Sequence, residues 1–386
     1  MLLRCLCHPR PRCAGVRHTH LHRFATIAPA RERVQVRVAN GSLDVDIHYP
    51  ESSHSPSLGQ TSRAALLFLP RGPLLHDPQH DALNITTLRS TLACPVIQVH
   101  YRYGEEHKFP DPVFDLAAAY DWVVANMLAS STSSREPAAK IAVCGELLGG
   151  TLASALALTE CRPKEPAAVV AAAINNPVLN WVDFGTTSEG IEVPRRETVA
   201  RLSMHEICEA RRLLFRNAAD YFDPFASPIL FFRAAGSRVP PPAPDAMQRM
   251  SEMDELIQAE QDQLLPQGLS SEVPPAVDSA SLRKSSRRFP SKSLALRLPR
   301  FRLCTGVESQ LTEQATEFRR LLLKSFERQS RVKSPRSRDM ERMQLPSPEH
   351  MVLQDEVKGL GVWDDSADAR RRMQDTAYWL AEALRD

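Results

Sequence analysis

Between residues 34 and 49 the chain alternates in steps of two: Val34, Val36 and Val38, then Asn40-Gly41, then Leu43, Val45, Ile47 and Tyr49. That period places apolar side chains on one face of a pleated strand, and an Asn-Gly pair between two such runs predicts a β-hairpin. Short apolar runs at 64–69, 95–101, 141–144 and 167–174 read instead as strands buried on both faces. Between these runs the period lengthens. The stretch 80–93 suits a helix, and in 111–128 Val113, Leu116, Ala117, Tyr120, Val123, Val124 and Met127 share one helical side. Residues 149–158 are small and apolar, as suits a helix packed closely on a sheet. Strands alternating with helices predict an α/β fold: a mostly parallel sheet flanked by helices, with the hairpin as an antiparallel edge.

The rhythm breaks at 180–240, where a helix is predicted near 204–217 and the aromatic run Tyr221-Phe222-Asp223-Pro224-Phe225 follows. This stretch reads as an inserted helical cap. Residues 241–292, with Pro241, Pro242, Pro274, Pro275 and many Ser and Gln, have the composition of a disordered insertion, with one transient helix at 246–264. A strand at 301–305, a helix at 309–328, a charged linker at 329–348, a last strand at 351–357 and a closing helix at 366–384 complete the pattern. The predicted organisation is therefore a basic segment 1–31, the first part of the α/β domain 32–179, the cap 180–240, the insertion 241–292 and the rest of the domain 293–386.

Composition narrows the function classes. A chain of 386 residues can bury a large core, and no apolar run is long enough to span a bilayer. Lys+Arg at 48 against Asp+Glu at 46 leaves no bulk charge to draw nucleic acid or a membrane surface. The eight cysteines (Cys5, Cys7, Cys13, Cys94, Cys144, Cys161, Cys208, Cys304) lack metal-ligand spacing, and several sit in apolar runs as reduced core thiols do. Residues 1–31 hold Arg4, Arg10, Arg12, Arg17, Arg23 and Arg31 with no acidic residue before Glu32. That matches a mitochondrial presequence, although Pro9 and Pro11 would interrupt its helix; the other reading is a basic tail on a cytoplasmic protein.

The run Tyr101-Arg102-Tyr103-Gly104-Glu105-Glu106-His107-Lys108-Phe109-Pro110, followed by Asp115, Ala119, Tyr120 and Trp122, resembles the strand-to-helix segment of the α/β-hydrolase fold-3 family, the hormone-sensitive-lipase-like esterases. The stretch Cys144-Gly145-Glu146-Leu147-Leu148-Gly149-Gly150 is similar to that family's nucleophile elbow. The resemblance covers 64–174 and returns more weakly at 299–328 and 351–384. It implies an eight-stranded sheet and an esterase ancestry.

The chain departs from the family where the chemistry sits. The resemblance puts Leu147 in the place of the serine of G-x-S-x-G, and leucine has no nucleophilic atom. The position of the acid falls on Ser309, with Glu308 one residue away. That of the histidine falls in Lys358-Gly359-Leu360-Gly361-Val362-Trp363, at Gly361. The oxyanion turn corresponds to Pro70-Arg71-Gly72-Pro73, and Pro73 has no N–H to offer. His350 precedes the last strand and so lies at the wrong end of a parallel sheet.

Other candidates are weighed on their own residues. Cys144 and Ser154 are the nearest alternative nucleophiles, one in a strand and one inside a helix. His107 with Glu105 and Glu106 lacks a second histidine at ligand spacing, so neither a metal nor a cofactor is expected. Arg71 either faces the crevice, where it would hold a carboxylate or phosphate, or is solvated. Tyr221, Phe222, Phe225, Phe231 and Phe232 read as cap–core packing. The expectation is a degenerate hydrolase fold without a Ser-Asp-His triad, acting as a scaffold that takes a small molecule near Leu147 or a protein partner through 241–292. The alternative is an esterase or lipase-like hydrolase with a displaced active site.

Overall fold

The computed structural model describes residues 31–51, 63–128, 138–163, 165–184, 202–233, 289–331 and 347–385. The basic segment 1–30, nearly all of the 241–292 insertion and most of the 329–348 linker lie outside them. Eight strands form one sheet: β1 (Arg31–Val38), β2 (Gly41–His48), β3 (Ala64–Leu69), β4 (Val96–Val99), β5 (Ala139–Glu146), β6 (Ala167–Asn175), β7 (Arg300–Gly306) and β8 (Val352–Val357). Their order is β1-β2-β4-β3-β5-β6-β7-β8. β2 is antiparallel to both β1 and β4, and every later pairing is parallel.

The hairpin turns one residue earlier than its Asn-Gly pair suggests. Ala39 and Asn40 make the bend, and Gly41 opens β2 opposite Val38 at φ 119, a value natural only to glycine. Arg102 holds this turn from outside: its guanidinium donates to the Asn40 carbonyl at 2.8 Å and grips the buried Asp115 carboxylate at 2.7 and 3.0 Å.

Among the described residues there are seven α-helices: α1 (Pro78–Thr91), α2 (Asp111–Asn126), α3 (Leu148–Thr159), α4 (Met204–Leu214), α5 (Thr312–Arg331), the single turn α6 (Pro348–Met351) and α7 (Ala367–Arg385). α1 and α7 close one face, packing Ile85, Leu88, Met373, Ala377 and Leu380 on Phe68, Ala142 and Ala173. α2, α3 and α5 close the other face with the larger apolar cluster. α5 starts three residues later than its periodicity suggests, because Ser309 N–H first bonds back to the Gly306 carbonyl at 2.9 Å and makes a turn of 307–311.

The cap sits over α2 and α3. Phe109 N–H donates to the Leu214 carbonyl at 2.7 Å, and Trp181 N–H donates to Ser227 Oγ at 3.0 Å. Phe289 meets both Phe231 and Phe232 at ring-centroid distances of 5.2 Å, so the chain re-enters the described fold where it left it.

Candidate functional site at the β5–α3 turn

The turn from β5 into α3 is sharp because three glycines let backbones meet. A methyl group on Gly145 would run into the Gly149 carbonyl, and one on Gly149 would run into the carbonyls of Leu69 and Pro70. Between them Leu147 sits at φ 53, ψ −115, a conformation that crowds any Cβ and is kept only where the surroundings over-determine it. Its N–H donates to the Asn175 carbonyl at 3.0 Å, and its carbonyl accepts from Thr151 N at 3.0 Å and Thr151 Oγ1 at 3.1 Å. The side chain is 0 % exposed.

The turn after β3 (Pro70-Arg71-Gly72-Pro73) lies against this elbow, and it is filled. A Cβ on Gly72 (φ 75) would come within 2.9 Å of both the Leu148 side chain and the Tyr101 hydroxyl, which itself donates to the Pro70 carbonyl at 2.6 Å. Arg71 neither faces an open crevice nor reaches solvent. It is buried at 3 % exposure, and its guanidinium donates to Glu146 Oε2 and to the Trp363 carbonyl. Glu146 Oε1 accepts from Asn175 Nδ2 and from Trp363 N–H, both at 2.6 Å. One buried carboxylate thus ties together the ends of β5 and β6, the turn after β3 and the loop after β8.

The loops that follow β7 and β8 press backbone on backbone. A methyl group on Gly306 would strike Gly359 and Leu360, and one on Gly361 would lie 2.6 Å from Gly306 N. Gly361 takes φ 67. Ser309 is buried, its hydroxyl accepting from Leu311 N–H at 3.3 Å, and Glu308 uses its own N–H on the Gly359 carbonyl at 3.1 Å. At the three positions set by the resemblance stand a buried leucine, a buried serine and a glycine. His350 lies in α6, ahead of β8, with Ser347 Oγ 2.7 Å from its Nδ1.

A family model described as alpha/beta hydrolase fold matches residues 74–257, which include the elbow. This is an alpha/beta-hydrolase-fold protein. Among solved structures it is similar to the hyperthermophilic esterase from the archaeon Pyrobaculum calidifontis, at 15 % identity and a TM-score of 0.54, over 92 % of this chain and 86 % of that one. It is similar to carboxyl esterase 2 of the mycorrhizal fungus Tuber melanosporum at 14 % identity and 0.55, over 92 % and 87 %. A third likeness is to EstE1, a thermophilic carboxylesterase cloned from a metagenomic library, at 16 % identity and 0.52, over 93 % and 90 %. Identities this low establish the shared fold alone. No curated protein matches the sequence.

Within this hydrolase fold the remaining candidates have structural duties. Cys144 is wholly buried in β5, and burial raises its thiol pKa, which disfavours the reactive thiolate. Ser154 is buried inside α3 and donates to the Gly150 carbonyl at 2.7 Å. His107 shares a contact of 3.3 Å with Asp111, while Glu105 pairs with Lys108 at 2.9 Å. The aromatic residues of the cap pack on one another and on the domain: Phe225 against Phe231, and Phe232 against Phe318. Beside the elbow, Phe109, Val113, Leu148, Trp181, Phe215 and Phe225 line an apolar cavity with about 20 Å³ open to the centre of a water molecule. That is room for one water and not for an acyl chain.

Sequence reasoning missed the network behind the elbow. Asp81, in the first turn of α1, is 4 % exposed, and burial pushes its carboxyl up to about 7, with the charge of Arg71 opposing. The available signal was Glu146 itself, a charge at the end of an apolar run, which demands a buried partner.

Proposed function

We propose that this chain uses the alpha/beta hydrolase fold without its hydrolytic chemistry, as a non-catalytic scaffold. The observation that carries this reading is Leu147: the sharp turn that would present a nucleophile presents a fully buried hydrocarbon. Losing the nucleophile alone costs such enzymes on the order of 10⁶ in rate, and a lost oxyanion donor costs about 10²–10³ more. The crevice beside Leu147 is close-packed, so a small-molecule ligand there would require the cap to lift. The insertion 241–292 is the contact segment we propose for a protein partner, and residues 1–31 we propose as a mitochondrial presequence. Sequencing the N-terminus of the native protein tests the latter, which a chain still beginning at Met1 defeats.

A second reading is a carboxylic-ester hydrolase with a displaced nucleophile. The similar solved structures described above, which are esterases, support this reading. The purified full chain, treated with a fluorophosphonate probe and with short-chain p-nitrophenyl esters, separates the two. The scaffold reading expects no adduct and no turnover above buffer, in the wild type and in Leu147→Ser alike. A stoichiometric adduct that survives Leu147→Ala and disappears with one other serine or cysteine change establishes the hydrolase instead.

A further inference from the structure

The sheet ends at β1, whose eight residues pair with β2 in an unbroken register from Arg31 opposite His48 to Val38 opposite Gly41. Among the described residues β1 has no strand on its other side and no main-chain hydrogen bond to any other element. A row of N–H and C=O groups is therefore left open to pairing. Proteins usually guard such an edge with a very short strand, a proline or a bulge, and β1 has none of these.

The two faces of this edge differ. On one, the register sets Arg31, Arg33 and Arg37 beside His48, Asp46 and Ser42, with Gln35 beside Asp44. Three guanidiniums thus face two carboxylates. Asp46 is divided among Arg31 at 2.6 Å, Arg33 at 2.8 Å and the His100 ring at 2.6 Å, and both arginines stay about half exposed. Arg37 is exposed and makes no ion pair among the described residues. On the other face Val36 is buried and Val34 and Val38 are half-buried, while Glu32 accepts from the Tyr49 hydroxyl at 2.8 Å. A second copy of β1 is a poor partner. In the two longest antiparallel registers that match the faces, Arg37 meets Arg31 or Arg33, and like charges directly opposite destabilise a pair.

We propose that β1 is a docking edge for an extended acidic segment of another protein, which adds itself to the sheet as a ninth strand. Carboxylates at every second position of that segment lie beside Arg31, Arg33 and Arg37, and the apolar side chains between them lie beside Val34, Val36 and Val38. Main-chain hydrogen bonds supply the affinity and the alternate side chains the selection, as in other cases of strand addition. The edge is separated from the elbow in β5 by β2, β4 and β3, so it serves a scaffold or an enzyme alike.

Fluorescence anisotropy of a labelled synthetic peptide, alternating glutamate and valine over the length of β1, tests this against the full chain. The expected result is saturable binding with a Kd below about 1 mM, weakened at least about tenfold between about 0.05 M and about 0.5 M salt. A fully N-methylated peptide of the same sequence keeps the charge without the N–H donors and should not bind. Arg37→Glu, which breaks no ion pair among the described residues, should melt with the wild type and bind at least about tenfold more weakly. Absence of saturation, equal binding of the N-methylated peptide, or wild-type affinity in Arg37→Glu would each overturn the proposal. So would a chain that sediments as a dimer and sheds the peptide as it dimerises, which would assign the edge to a second copy.

Discussion

The elbow at Leu147 and the paired loops after β7 and β8 have parted ways. The elbow keeps the geometry that would expose a side chain above the sheet, positive φ included, although it has no reactive atom to display. The loops opposite, where the resemblance would put an acid and a base, press the Gly306 backbone against Leu360 and Gly361, so that a Cβ at Gly361 would collide. The difference shows what each region answers to. The elbow's shape is demanded by the close approach of α3 to β3 and β5, a requirement of folding that holds with or without catalysis. The loops' shape in a hydrolase answers to chemistry, a demand that the scaffold reading proposed above removes.

Substitutions can break this contrast, the strongest on the elbow side. Gly149→Val would drive a branched side chain into the carbonyls of Leu69, at the end of β3, and Pro70. We expect a loss above about 4–5 kcal/mol, read as a chain with no cooperative urea transition. Glu146→Ala would strand Arg71 without its counter-charge and should cost about 3–5 kcal/mol by denaturant unfolding. On the loop side, Gly361→Ala meets both a positive φ and the Gly306 backbone, and about 1–3 kcal/mol is expected. If Gly361→Ala proved as damaging as Gly149→Val, the loops would be as essential to folding as the elbow. The smallest effect is expected at Leu147→Gly. Relief of about 1–3 kcal/mol of backbone strain offsets much of the roughly 2–5 kcal/mol lost with the buried side chain, leaving a net cost of about 1–2 kcal/mol in the same assay.

The sheet was largely legible because its signals are local. Alternation marked β1 and β2, apolar runs marked β3 to β6, and helical spacing marked α2, whose buried face holds Val113, Leu116, Tyr120 and Val123 as expected. Element ends were less legible, since Gly41 and Ser309 act through backbone bonds that composition does not reveal. The glycines of the elbow and the leucine among them could be read directly. The fate of Arg71 could not. Its partner Glu146 is 75 residues away and the Trp363 carbonyl is 292 away, so only the folded sheet brings them together. Asp81 was hidden for the same reason: on the chain it is one more acid near a helix start.

The meeting of Phe289 with Phe231 and Phe232 makes the intervening chain a closed loop whose mouth the aromatic core has already sewn shut. The entropy of closing that loop depends only weakly on its length, since doubling a loop adds only about 0.6 kcal/mol. The seam itself, Phe289 against Phe231 and Phe232, is what the eight-stranded domain needs from this part of the chain.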